Sequence, residues 1–341
     1  MLSIFPRRSQ VSGFSMTHSA QRAEAIGMLI VTNVLWAVSF PLTKAIEQLE
    51  AGLAPGSGAF VTAYALAPRF GIALIALLVF SRLGRRRDDA PITRSEWRQG
   101  LLMGSFNFGG MVMQIDGLRF TAASTSAFLT LTYAVLIPIW FAIRFRRNPG
   151  LVVWISCALV LTGVAILGRF DWRTLRLGRG ELETLVSSVL FMGQILYLPE
   201  KKYAANRPAQ TTRVMFLLEA PLFLILLFAT APSASALLAP WSSPGWIALT
   251  LALTIFSTLA GYSIMNTWQP KVSATEAGLL NCSEPVFTSV LVLFLPGLIS
   301  MGAGIAYPNE LASRDLLIGG CLITAANVLI QVARRPANAP L

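Results

Sequence analysis

An all-α integral membrane fold, with ten transmembrane helices set as two inverted five-helix repeats, is what this sequence predicts on three observations. The chain is 341 residues long, 55% hydrophobic and only 13% charged, where a soluble domain carries about 25% charged residues. Ten mostly apolar runs recur along it, each long enough to cross the roughly 30 Å hydrocarbon core as a helix. The chain also echoes itself. Ala67-Pro68-Arg69-Phe70 returns as Ala220-Pro221-Leu222-Phe223 after 153 positions, and Leu35-Trp36 as Leu190-Phe191 after 155. The stretch 127–133 runs parallel to 278–284 at 151, and Cys157 aligns with Cys321 at 164. Five spans per repeat is an odd number, so the second copy must lie upside down in the bilayer.

Taken in order, the first run, 26–46, holds Trp36 and Ser39 at mid-depth and ends near Lys44. The second, 58–80, carries Pro68 and Arg69 near its centre; the third, 99–118, begins after Trp97 and holds Asn107. The fourth is 121–143, with Tyr133 and Pro138, and the fifth 150–168, with Cys157. The sixth, 180–199, opens on Glu181 and Glu183 and holds Phe191 and Gln194. The seventh, 213–230, mirrors the second in its central Pro221 and carries Glu219; the eighth, 246–266, starts at Trp246 and holds Tyr262. The ninth, 274–295, contains Asn281, Glu284 and Pro285, and the tenth is 315–333. Tryptophans at predicted ends suit the headgroup region. Small residues at 109–110 and 257–261 are expected to let helices approach closely. The resulting units are a tail 1–25, a repeat 26–168, a linker 169–179, a repeat 180–333 and a tail 334–341.

The net charge of +11 is a topology signal rather than a nucleic-acid footprint. With a cytoplasmic N-terminus, nineteen of the 27 Lys and Arg residues fall in inside loops and six outside. The positive-inside rule therefore places both termini in the cytoplasm. All three cysteines lie within spans, which argues against a disulfide framework. The N-terminal tail lacks an apolar signal-peptide core, so the first span is expected to remain as an anchor, with Met16 a second candidate start. Enzyme chemistry finds no support: the one histidine, His18, lies in the tail, and neither a nucleophile elbow nor a phosphate loop is present. No cofactor or metal is expected.

A charge at a helix centre costs about 2.5–3.5 kcal/mol on insertion scales, so such groups face the bundle interior or water. Arg69, Glu219 and Glu284 are in that position. Two alternatives follow for them. Arg69 anchors an acidic group of a ligand while Glu284 or Glu219 binds a proton or an amine, or the three form an internal ion pair that fixes packing. With them, Trp36, Ser39, Asn107, Tyr133, Phe191, Gln194, Tyr262 and Asn281 sketch a cavity of aromatic walls and orienting polar groups. Pro68 and Pro221 are candidate hinges, because proline removes a backbone donor and clashes with the preceding turn. The loop 296–314 is expected to form a short interfacial helix or a plain connection.

The first span, Asn33-Val34-Leu35-Trp36-Ala37-Val38-Ser39-Phe40-Pro41-Leu42-Thr43-Lys44, resembles the opening helix of the drug/metabolite transporter superfamily, in its ten-helix EamA-type branch. Gln114-Ile115-Asp116-Gly117-Leu118-Arg119-Phe120-Thr121 is similar to that family's exit from its third helix, and Ser283-Glu284-Pro285-Val286-Phe287 to its ninth. The resemblance spans roughly 26–335. It departs in the longer 296–314 connection and in Ala134, where the family often has proline. The resemblance implies a bacterial-type inner-membrane carrier, embedded in the lipid bilayer, that exports an amino-acid-like metabolite or an amphiphilic drug. Protons would be the coupling ion if transport is driven. The alternatives are a carrier for anionic, nucleotide-sugar-like compounds and a membrane sensor that does not transport.

Overall fold

The computed structural model describes residues 9–53, 56–83, 90–121, 123–167, 170, 173 and 177–333. Arg7, Arg8, Arg85, Arg86, Arg87, Arg169, Arg176, Arg334 and Arg335, which entered the charge count, lie outside these residues, as does most of the 169–179 linker. Among the described residues every regular element is helical. The first three helices are α1 (Ser9–Leu53), α2 (Gly58–Leu83) and α3 (Arg94–Leu118). The predicted fourth span is two helices, α4 (Ala123–Thr130) and α5 (Tyr133–Phe145), followed by α6 (Leu151–Leu167), α7 (Arg179–Tyr197) and α8 (Pro208–Thr230). A short α9 (Ala234–Leu238) precedes α10 (Pro244–Leu253), which continues through a π-helical segment, Thr254–Gly261, into α11 (Tyr262–Trp268). The predicted ninth span is likewise divided, into α12 (Ala274–Asn281) and α13 (Glu284–Leu291). A helix α14 (Leu295–Ala303) turns away by 62°, and α15 (Arg314–Ala333) closes the described chain.

Among the described residues, five helical stretches are long and apolar enough to cross a membrane, or six if the bent α12–α14 run counts as one. Large apolar side chains such as Ile75, Phe80, Ile143, Ile225 and Phe228 stand exposed on the outside of the bundle. A helix that is apolar on all sides belongs in lipid or in a core, and here both solvents are used. Inside, two apolar clusters form. One gathers around α2, α8 and α10 (Phe60, Leu66, Phe70, Phe216, Phe223, Trp246). The other gathers around α5, α6, α12 and α15 (Ile137, Val160, Leu279, Ile323). Phe191 of α7 packs against both.

Helix α1 lies along α10, the π segment, α11, α12 and α13, while α7 lies along α3, α4 and α5. The pairs α2–α8 and α6–α15 complete the bundle. In the last pair the backbones themselves meet. A β-carbon on Gly163 would stand 2.8 Å from the Gly319 carbonyl oxygen, and one on Gly319 2.6 Å from that of Gly163. Gly163→Leu is therefore expected to force α6 and α15 apart at a cost of about 1–3 kcal/mol, read as a lowered midpoint in detergent-mixture unfolding.

Both divided spans break where a neighbouring helix supplies a polar side chain. At the α12–α13 break, Asn33 of α1 donates its amide to the Leu280 carbonyl at 2.8 Å and to Ser283 Oγ at 3.1 Å. At the α4–α5 break, Thr132 Oγ1 lies 3.0 Å from Ser188 Oγ of α7. In lipid a freed backbone group needs such a partner, because water is absent. Pro285 sits in the first turn of α13, where its missing N–H costs nothing. Pro68 and Pro221, by contrast, lie inside continuous helices, so the interruptions fall elsewhere than at the expected hinges.

At the end of the bundle where α3 and α8 begin, Arg207 grips Glu96 through Nε at 2.8 Å and through its second terminal nitrogen at 3.0 Å. Thr93 and Glu96 also form a reciprocal cap on α3. The guanidinium and these caps hold the Glu96 carboxyl down at about 2. A carboxyl depressed on folding stabilises above its unfolded value and loses that stabilisation as pH falls through the folded one. Thermal stability in detergent is accordingly expected to drop between about pH 4.5 and 2, and Glu96→Gln is expected to remove that acid limb.

Candidate functional site

Most of the mid-span residues singled out from the sequence converge on one seam between the two apolar clusters. Tyr262 belongs to the first cluster and Tyr133 to the second. Its position at the start of α11, just past the π segment, brings Tyr262 against Trp36 of α1, with ring centroids 5.8 Å apart. The Tyr262 hydroxyl donates to Asn107 Oδ1 of α3 at 2.9 Å. The Tyr133 hydroxyl faces the Asn281 side chain, and Glu284 lies within electrostatic range of both tyrosines. Tyr133 and Glu284 each open the second half of a divided helical run. Glu284 is half-buried, whereas Tyr133, Asn281, Asn107 and Tyr262 are buried. The seam is thus walled by aromatic rings and carries one accessible carboxyl.

Glu219 of α8 is fully buried, and neither of its oxygens meets a donor in bonding geometry. Asn107 and Arg69 are its polar neighbours. The Asn107 Nδ2 group, left over once Oδ1 serves Tyr262, is also unpartnered. Asn107 therefore stands between the phenol and the acid.

Arg69 is not held by the expected internal ion pair. Among the described residues no carboxylate pairs with it, and it is 7% exposed. Its Nε donates to Thr258 Oγ1, and a terminal nitrogen donates to Ser257 Oγ at 3.0 Å. Both hydroxyls belong to the π segment, which also offers the Ser257 carbonyl to Trp36 Nε1 at 3.2 Å. The wider π turn brings two consecutive hydroxyls to α2 and a carbonyl to α1. Sequence inspection took 257–261 for packing residues and missed these partners, since serine and threonine in a small-residue run look the same in either role.

Ser39 turns its hydroxyl back to the Trp36 carbonyl at 2.6 Å and so contributes little to the seam. Phe191 rests on Gly110, where a β-carbon would stand 2.6 Å from the ring, and Trp36 rests on Gly261 at the same 2.6 Å. Gln194 is buried, with its Nε2 unpartnered. Nearer the span ends, Asp116 pairs with Arg119 at 3.1 Å and with Arg179, while Lys44 lies exposed, 5.5 Å above the Tyr307 ring. A cavity of about 720 Å³ lies elsewhere. It is an open groove between α4, α6 and α15, lined by Phe128, Leu161, Ile166, Phe170 and Asp315. Among the described residues no cluster of His, Cys, Asp and Glu could hold a metal ion.

These features define a multi-pass helical membrane protein with a polar, aromatic-walled interior, the design expected of a carrier. Residues 24–169 match the EamA-like transporter family. A Synechocystis sp. protein named as an uncharacterized transporter is 22% identical over 272 residues, covering 76% of this chain and 75% of the relative. A solved crystal structure aligns with a TM-score of 0.68 at 16% identity, over 93% of this chain and 99% of that one. It is evidence of a shared fold.

Proposed function

We propose that the protein is a secondary transporter that moves a small organic metabolite by alternating access, with ten spans in two inverted repeats, 26–168 and 180–333. In this reading both termini are cytoplasmic, the membrane is a bacterial-type inner membrane, and the direction is export of an amino-acid-like compound or an amphiphilic drug. The observation that carries it is that positions related by the repeat make the same contact in both halves. Trp36 sits on Gly261 and its mate Phe191 sits on Gly110, with both offsets, 155 and 151, taken from the sequence echo. Asn33 clamps Ser283 at one helix break, and Ser188 clamps Thr132 at the other, related by the same two offsets. Phe70 and Phe223, mates at 153, pack against each other with centroids 4.8 Å apart and rings tilted by 40°, as equivalent residues meet at a two-fold axis.

Two matched halves around a polar seam can rock and open that seam to either side in turn. Broken spans at mid-depth favour this, since irregular backbone at membrane depth is tolerated where it lines a cavity or lies buried in protein. Pro68 and Pro221 retain a role as compliant points within α2 and α8. The seam residues Trp36, Asn107, Tyr133, Tyr262, Asn281 and Glu284 would contact the substrate, with Phe191 and Gln194 along the α7 wall. An anionic cargo is less well served, because two hydroxyls already engage Arg69. Reconstitution in liposomes with labelled amino acids and cationic drugs tests the proposal. Saturable flux of a panel member supports it, and specific binding without flux of any compound favours the sensor.

A further inference from the structure

Glu50 was not a candidate from the sequence, because the first apolar run ends at 46. In the structure α1 continues past it, and Glu50 is 6% exposed within the first apolar cluster. Its Oε1 accepts the indole N–H of Trp246 at 2.8 Å. Among the described residues no basic side chain forms an ion pair with it. Glu50 lines a narrow cavity of about 10 Å³ together with Glu47, Tyr64, Arg69, Trp246 and Thr250. That volume holds about one water, provided that two to four polar partners are present. Thr250, 4% exposed, lines the cavity with a hydroxyl that has no partner in the protein, so it supplies one such contact.

We propose that Glu50 is a proton-binding site, connected through a single internal water to Thr250 and Arg69. As an anion, Glu50 accepts from the Trp246 indole, which can only donate, and from the water. Once protonated, it donates to the water or to Thr250 Oγ1, and the indole bond weakens. Each state has partners, so the carboxyl can change charge without rearranging its helices. The surrounding groups leave this exchange to Glu50. From α1 itself come Glu47 and Lys44, the latter held over the Tyr307 ring. From α2 come Tyr64, whose hydroxyl donates to the Leu237 carbonyl at 2.7 Å, and Arg69, anchored on Thr258 and Ser257. Helix α10 contributes only Trp246 and Thr250, and the turn Ala239–Ser242 contributes Trp241, 5.0 Å from Trp246 between centroids. The 304–313 segment adds Tyr307 and Glu310 on the far side of Lys44.

Binding of a proton here is independent of transport; its use as the coupling ion rests on the carrier reading. Glu50 lies at the end of α1 that the charge asymmetry assigns to the outer face, three helical turns and more from Trp36. A proton taken up there would reach the helix that bears the seam.

Infrared difference spectroscopy of the purified full-length protein in nanodiscs, titrated with pH, tests the site. The expected result is a titrating protonated-carboxyl stretch that persists in Glu47→Gln, disappears in Glu50→Gln and moves its midpoint in Trp246→Phe and Thr250→Val. A band unchanged in a folded Glu50→Gln protein overturns the proposal, as does a midpoint indifferent to both Trp246→Phe and Thr250→Val. Glu50→Asp, which keeps the acid, should retain a titrating band at a shifted midpoint if Glu50→Gln proves unstable; its failure to do so also overturns the site. In liposomes, Glu50→Gln should lose the response of flux to a pH gradient while keeping substrate exchange. Absence of flux in the wild type would count against the carrier, and leaves the spectroscopic result standing.

Discussion

Arg69→Lys is expected to lose both stability and transport, despite keeping the positive charge. The arginine fork reaches two hydroxyls at once, Nε to Thr258 and a terminal nitrogen to Ser257, and so ties α2 to the π segment. A lysine ammonium gathers its three donors on one nitrogen and lacks the fork, so it cannot hold both hydroxyls in the positions the guanidinium spans. A hydrogen bond to a charged group contributes about 1.5–3 kcal/mol, and in membranes somewhat less because the unfolded reference also finds partners. Loss of one such bond should cost on the order of 2 kcal/mol, and Arg69→Leu more. The π segment also presents the Ser257 carbonyl to Trp36, so its loosening reaches the seam. Detergent-mixture unfolding and liposome flux, measured on the same preparations, check both effects. Full stability with lost flux would return Arg69 to the role of substrate anchor.

Glu284→Gln is expected to do the reverse, reducing flux by about tenfold or more, equivalent to about 1.4 kcal/mol, at unchanged stability. Its side chain is half-buried, and among the described residues it makes no side-chain hydrogen bond that could hold helices together. Tyr133 and Tyr262, one from each apolar cluster, lie within its electrostatic range. An accessible carboxyl with no structural bond to keep is free to meet a ligand. The counter-result is a destabilised variant whose flux per folded molecule is normal.

Much of this arrangement is legible in the residues. Apolar run length anticipated an all-helical chain with membrane-crossing stretches, of which the described residues hold five or six. The depth of Trp36, Asn107, Tyr133, Tyr262, Asn281 and Glu284 within those runs placed them at one level, where the structure brings them together. Three features were hidden for physical reasons. The breaks at 131–132 and 282–283 lie in runs whose average stays apolar in spite of Asn281, Ser283 and Glu284, so hydropathy reads each as one span. The π segment changes the helical register by hydrogen bonding alone, with no compositional mark, so Ser257 and Thr258 could not be aimed at Arg69. Glu50 escaped because hydropathy ends a span at the first charges, whereas burial against Trp246 carries α1 further. The loop 296–314 contains most of a short helix, α14, whose αL cap at Gly304 turns the chain back so that Tyr307 meets Ser300.

The central claim is that Trp36 and Phe191, mates in the two halves, line one pathway open to each side in turn. Cysteines placed singly at 36 and 191, with Cys157, Cys282 and Cys321 replaced, should react with a membrane-impermeant thiol reagent applied from either face, and transported substrate should protect both. Reaction of the two positions from opposite faces only, or of neither from any face, would contradict the account.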